Sequence, residues 1–282
     1  MITNLIPLNE FLIKNNLRAS RLAQPHDELL AKVNSPAKLP TSVSLLNRCP
    51  EPYDQSVLGS CTGNALAMTI DILENSATNI STSASTTTTP SPTATSAFRP
   101  SRLFIYYNER AVEGDVADDS GADEMDGLNY TAQYGVCSET TWPYDVKQFA
   151  VKPPQQAYTE ALKHKIVGVH NIPKNKDFLN SIKAALALGL PVTAGFVVYE
   201  SFMSDQVAKT GIVPIPKKGE KCEGGHEICI IGYDDSKQEL LIRNSWGSGW
   251  GQHGNFVVTY AFVNSYFDQA TYATSFVNSQ WQ

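Results

Sequence analysis

Residues 224–254 read GGHEICIIGYDDSKQELLIRNSWGSGWGQHG, and this stretch constrains the fold more than any other. It contains two apolar runs rich in β-branched residues, which read as strands. His226 stands ahead of the first run. Asn244 ends the second, followed at once by Ser245, Trp246 and a glycine-rich turn. Side chains alternate along a strand, so Ile228 and Ile230 share the face of His226, while Glu227, Cys229 and Ile231 face away. The short runs IVGVHNI, PVTAGFVV and GNFVVTY have the same character and predict further strands of one sheet. SIKAALALGL predicts a helix with Gly189 near its C-terminus.

The upstream half is built differently. Pro50 and Pro52 break regular structure, and Gly59 permits a tight turn into Cys61. After it, TGNALAMTIDILEN places Leu66, Ile70 and Leu73 at helical spacing, with Ala65 and Ala67 allowing close packing. Cys61 is thus expected at a helix N-terminus, where the positive end of the helix and a nearby imidazolium would lower the thiol pKa. A helix is also expected over RPSRLFIYYNER, and another from Met125. Gln55 lies six residues before Cys61. A thiol, an imidazole and two carboxamides supply what acyl transfer needs. The thiol attacks, the imidazole moves the proton, one amide orients the imidazole, and the other donates to the oxyanion.

The order Gln55, Cys61, His226, Asn244 resembles the papain family of cysteine peptidases. The motif NSWGxxWGxxG is met by Asn244, Ser245, Trp246, Gly247, Trp250, Gly251 and Gly254. YGVCSETTWPYD, PVTAGFVVYESF and LPTSVSLLNRCPEPYDQ resemble the family's inter-lobe segment, its strand before the catalytic histidine, and its mature start. The resemblance implies an α+β fold of two lobes, one helical and one an antiparallel, barrel-like sheet, with the active-site cleft between them. It divides the chain into an N-terminal extension (1–38) and a catalytic domain (39–282). Within that domain a helical lobe spans about 50–135 and a β lobe about 136–282. It implies a cysteine peptidase with catalytic Cys61, His226, Asn244 and Gln55, acting on a polypeptide substrate through an acyl-enzyme. An acyl transferase or exopeptidase variant of the same site, and a catalytically silent interaction protein, remain alternatives. The resemblance also points to substrate-binding positions. Gly121 would pair its backbone with substrate, or is a turn glycine. Trp246 would cover the His226–Asn244 bond, or is a core aromatic. Glu227 follows the histidine, where the family has a small apolar residue lining a specificity pocket. There it would favour a basic substrate side chain, or it pairs internally with a lysine of residues 216–221, or sits protonated.

The remaining signals are weaker. A net charge of −6 gives no reason to expect nucleic-acid binding. No run is long and apolar enough to suggest membrane insertion, no signal peptide is recognised at the N-terminus, and a monomer is expected. The compartment is not legible. Residues 1–38 are too short for the family's usual pro-segment; they form a surface strap or a reduced pro-segment. Residues 76–97 are rich in Ser, Thr and Pro and read as a surface loop. No cofactor or metal is expected: Cys222, His226 and Cys229 have a zinc-like spacing but lack a fourth ligand, and Cys229 should point away from His226. With Cys61 as nucleophile, Cys49, Cys137, Cys222 and Cys229 read as free thiols. Leu58 occupies the family's usual half-cystine position.

Overall fold

The computed structural model describes residues 39–82 and 98–279. The extension expected over 1–38 lies outside the described residues, as does most of the loop expected over 76–97. Seven helices are described: α1 (Cys61–Thr82), α2 (Arg102–Glu113), α3 (Glu124–Tyr134), α4 (Gln155–Ala161), α5 (Phe178–Ala187), α6 (Asp205–Thr210) and α7 (Tyr260–Tyr266). Seven strands accompany them: β1 (Ser42–Ser44), β2 (His164–Ile172), β3 (Val192–Tyr199), β4 (Cys222–Asp234), β5 (Glu239–Arg243), β6 (Asn255–Thr259) and β7 (Phe267–Asn278). The fold is α+β. Among the described helices, none is long and apolar enough to cross a membrane.

The strands form one antiparallel sheet in the order β2-β7-β3-β4-β5-β6, with β1 added to β4. The barrel-like expectation needs correction, because the end strands β2 and β6 do not pair. Register shifts in β3 and β4 bend the sheet without closing it. Gly232 lets β1 lie against β4, since a Cβ there would stand 2.5 Å from the Val43 carbonyl oxygen.

Helix α1 is the central support. Leu66, Ile70 and Leu73, the residues at helical spacing, are all buried, each worth roughly 1.5–3 kcal/mol when removed from water. The helix packs on β4 and on α2. Gly63 makes the α2 crossing possible, because a Cβ would meet the Arg102 carbonyl oxygen at 2.9 Å and the Tyr106 nitrogen at 3.2 Å. Thr62 Oγ1 adds a hydrogen bond to Glu109 Oε2 at 2.8 Å. The helix also continues to Thr82, into the segment expected to be loop. Ser76 is compatible with that extension because its hydroxyl bonds back to the Ile72 carbonyl at 2.7 Å. Ser101 caps α2 by accepting from the Phe104 N–H, and Asp123 caps α3 by accepting from the Met125 N–H.

Candidate active site

Cys61 is the first residue of α1 and is fully buried. The loop before it is fixed from several sides. Gly59 donates its N–H to the Asp119 carboxylate at 3.0 Å. Asn64 Nδ2 reaches back to the Ser60 carbonyl at 2.8 Å. Tyr144 stands against the same loop, its hydroxyl 2.6 Å from Ser60 Oγ and bonded to the Gln55 carbonyl at 2.8 Å. Arg102 lies over the rings of Tyr53 and Tyr144, 4.4 and 4.0 Å from their centroids. It pairs with Glu139 at 2.6 Å and donates to the Asp54 carbonyl and to Asn64 Oδ1. Tyr144 and Arg102 are support residues that sequence reasoning missed, although Tyr144 lies inside the recognised inter-lobe segment.

Gln55 is held at both ends of its amide. Ser245 Oγ donates to Gln55 Oε1 at 2.6 Å, and Gln55 Nε2 donates to the Leu58 carbonyl at 2.9 Å. The backbone adds a Gln55 N–H bond to the Ser245 carbonyl at 2.8 Å. The Gln55 loop is therefore tied to the residue that follows Asn244. Nε2 carries two hydrogens, so one remains beyond the Leu58 bond.

His226 lies within β4 and Asn244 directly follows β5; both are buried. Their side chains meet, with His226 Nε2 2.8 Å from Asn244 Oδ1. An amide oxygen only accepts, so Nε2 carries the ring hydrogen and Nδ1 is left as the basic nitrogen. His226 Nδ1 has no hydrogen-bond partner among the described residues. Asn244 Oδ1 also accepts from the Ser245 N–H at 2.9 Å. Trp246 lies against the imidazole with ring centroids 5.0 Å apart and is itself packed edge-on by Trp250 and Phe202. Trp246 thus stands beside the imidazole and belongs to the aromatic core.

The titration properties correct the expectation of a low-pKa thiol. Burial pushes Cys61 up to about 12, against the backbone N–H groups of Glu227, Thr62 and Cys61 itself, which favour the thiolate; the Glu109 carboxylate raises it further. Burial likewise pushes His226 down to about 4, only partly offset by its bond to Asn244. Removing a thiolate and an imidazolium from water costs more than the helix end recovers. Burial thus favours the neutral form of each group.

Glu227 is buried, and it is paired internally, with a partner the sequence did not suggest. Its carboxyl hydrogen-bonds Glu124, the buried first residue of α3, and not a lysine of residues 216–221. Burial is the largest cause holding Glu227 well above the ordinary carboxyl range, and the Glu124 charge is next. Burial also raises Glu124, opposed by hydroxyl donors from Thr193 and Thr271. Gln269 Nε2 donates to Glu124 as well, at 3.2 Å. Glu227 is therefore the protonated member and Glu124 the acceptor. Cys229 shares the Glu227 face, with Sγ 3.5 Å from Thr69 Oγ1 on α1. His226, one step along the strand, faces the aromatic cluster instead. Gly121 is buried with φ +77°, and its N–H donates to the Tyr106 hydroxyl at 3.2 Å. That N–H is thus bonded within the chain. Among the described residues no cluster of His, Cys, Asp and Glu side chains is arranged to hold a metal ion.

Comparison with known proteins places this arrangement in context. The profile of the papain family of cysteine proteases matches residues 114–273, which include His226 and Asn244 and exclude Gln55 and Cys61. A peptidase C1-like protein of Acanthamoeba polyphaga mimivirus, itself uncharacterised, is 43% identical over 215 residues, covering 74% of this chain and 64% of the viral protein. Cysteine proteinase 2 of Entamoeba histolytica is 31% identical over 129 residues, covering 45% of this chain and 38% of the amoebal protein. The chain thus spans less than two thirds of the length of these relatives. Among solved structures, xylellain, a cysteine protease from Xylella fastidiosa, aligns with a TM-score of 0.72 at 33% identity, over 90% of each chain.

Proposed function

Because the chain belongs to the papain family of cysteine proteases, we propose that it hydrolyses peptide bonds with Cys61 as nucleophile and His226 as general base and acid. The observation that carries this reading is the 2.8 Å contact between His226 Nε2 and Asn244 Oδ1. It fixes the tautomer in which Nδ1 is the free base, and Nδ1 has no other partner. His226 Nδ1 takes the thiol proton as Sγ bonds to the carbonyl carbon, and the carbonyl π electrons move to oxygen. The remaining N–H of Gln55 and the Cys61 backbone N–H stabilise that oxyanion. Collapse breaks the C–N bond, and His226 returns the proton to the leaving amine. Water then attacks the thioester, with His226 again taking and returning the proton.

Ser245 and Leu58 hold Gln55 so that its amide need not reorganise during the reaction. Trp246 keeps water from the His226–Asn244 bond, which strengthens it. The test is hydrolysis of a peptide library by wild type and Cys61→Ala. Wild type is expected to cleave and the variant to be inactive with an unchanged circular dichroism spectrum; equal cleavage by both would overturn the reading.

A further inference from the structure

The Asn244 amide uses only its oxygen. Oδ1 accepts from His226 Nε2 and from the Ser245 N–H, while Nδ2 has no hydrogen-bond partner among the described residues. Asn244 lines a small cavity of about 10 Å³, whose walls include Ala65 and Met68 of α1, Glu227 of β4 and Arg243 of β5. All of these residues are buried. Two more unpartnered polar atoms belong to this wall: Glu227 Oε1 and Arg243 Nε. Unpaired polar atoms are rare in protein interiors, and three residues lining this one small cavity each carry one, which points to a common partner.

The volume is that of a single water molecule, and a buried water needs two to four polar partners. The three atoms supply a complementary set. Asn244 Nδ2–H and Arg243 Nε–H can both donate to the water oxygen, and one water O–H can donate to Glu227 Oε1. The Glu227 carboxyl also hydrogen-bonds Glu124. A cation does not suit a wall with two N–H donors, and a larger ligand does not fit the space.

We propose that this cavity is a binding site for one structural water, bonded to Asn244 Nδ2, Arg243 Nε and Glu227 Oε1, and that through it Glu227 is a positioning residue for Asn244. The water fixes the amide from behind, keeping its oxygen toward the imidazole, in concert with the Ser245 N–H. It also explains a carboxyl at the position after His226: the neutral acid donates to Glu124 on one oxygen and accepts from the water on the other. The positioning role rests on the peptidase reading; the water site does not.

Two measurements test the proposal. A high-resolution crystal structure of the full chain is expected to show one ordered water within hydrogen-bond distance of all three atoms. A cavity without density, or one closed by a side-chain rotation, would overturn the site. The functional part uses Glu227→Leu, which removes the acceptor, and Glu227→Gln, which keeps it and offers an N–H to Glu124. Loss of one orienting hydrogen bond should lower kcat about tenfold in the leucine variant with KM little changed, and the glutamine variant should recover most of that loss. A leucine variant turning over like wild type, or a glutamine variant as impaired as leucine, would overturn the positioning role. If activity instead survived Cys61→Ala, the peptidase reading would fall while the crystallographic test of the water stood.

Discussion

Replacing Glu227 by glutamine should change how stability depends on pH. Glu227 is buried and holds its proton well above the ordinary carboxyl range, chiefly through burial. In the unfolded chain the same group ionises near about pH 4.3. Above that value the folded state therefore binds one proton more than the unfolded state at this site. The difference in bound protons, unfolded minus folded, is negative, so stability falls as pH rises. The stability associated with the neutral carboxyl is complete below the unfolded pKa and is lost progressively above it, at about 1.4 kcal/mol per pH unit. Glutamine has no proton to lose and keeps a donor toward Glu124. As pH rises above about 5 the variant should gain stability relative to wild type. The groups acting on Glu227 are Glu124 and Asp123 at the start of α3 and Cys61 on α1, and Arg243 lines the same small cavity. The Glu124 and Asp123 carboxylates favour the neutral form. Arg243 alone would favour the carboxylate, and its Nη1 is engaged with the His253 carbonyl at 3.2 Å. The assay is urea unfolding of both proteins at several pH values in this window. Parallel stability curves would refute the reasoning, because they would mean that Glu227 is already ionised in the fold.

Further outcomes follow from the site and its supports. His226→Ala should reduce kcat more than Asn244→Ala, because the second loosens the imidazole without removing it; steady-state kinetics on one peptide orders the two. Gln55→Ala should cost roughly 3 kcal/mol of transition-state stabilisation, seen as a fall in kcat on the order of 100-fold. Gly135→Ala should destabilise the fold by roughly 3 kcal/mol or more, since φ is +83° and a Cβ would stand 1.7 Å from the Ala161 carbonyl oxygen; thermal unfolding measures it. With Cys61 pushed up to about 12 by burial, alkylation of the resting enzyme by iodoacetamide should be slow near neutrality and rise about tenfold per pH unit up to about pH 10. A rate plateau below pH 7 would show a thiolate already formed.

Much of this arrangement was legible from local pattern. The His226 and Asn244 strands announced themselves by β-branched apolar runs, and the glycine-rich turn after Asn244 marked where the second ends. The helix after Cys61 followed from the spacing of Leu66, Ile70 and Leu73, all of which are buried. Other features depend on residues that only the fold brings together. Glu124 is far from Glu227 in sequence, and nothing local to either says that they share a hydrogen bond. β7 was missed because FDQATYATSFVN lacks clean alternation: Ala270, Thr271, Tyr272 and Ala273 are buried in succession, between β2 and β3. The thiol's titration was misjudged for a related reason. A helix N-terminus is visible in sequence, whereas the burial that outweighs it is a property of the whole fold.

The most direct measurement is active-site titration with a peptidyl epoxide, followed by mass-spectrometric mapping of the adduct. One equivalent should attach, at Cys61 alone, with loss of peptidase activity in proportion to labelling, and His226→Ala should slow the reaction sharply. A stoichiometric adduct at Cys49, Cys137, Cys222 or Cys229, or full peptidase activity remaining after Cys61 is modified, would contradict the assignment of Cys61 as the nucleophile.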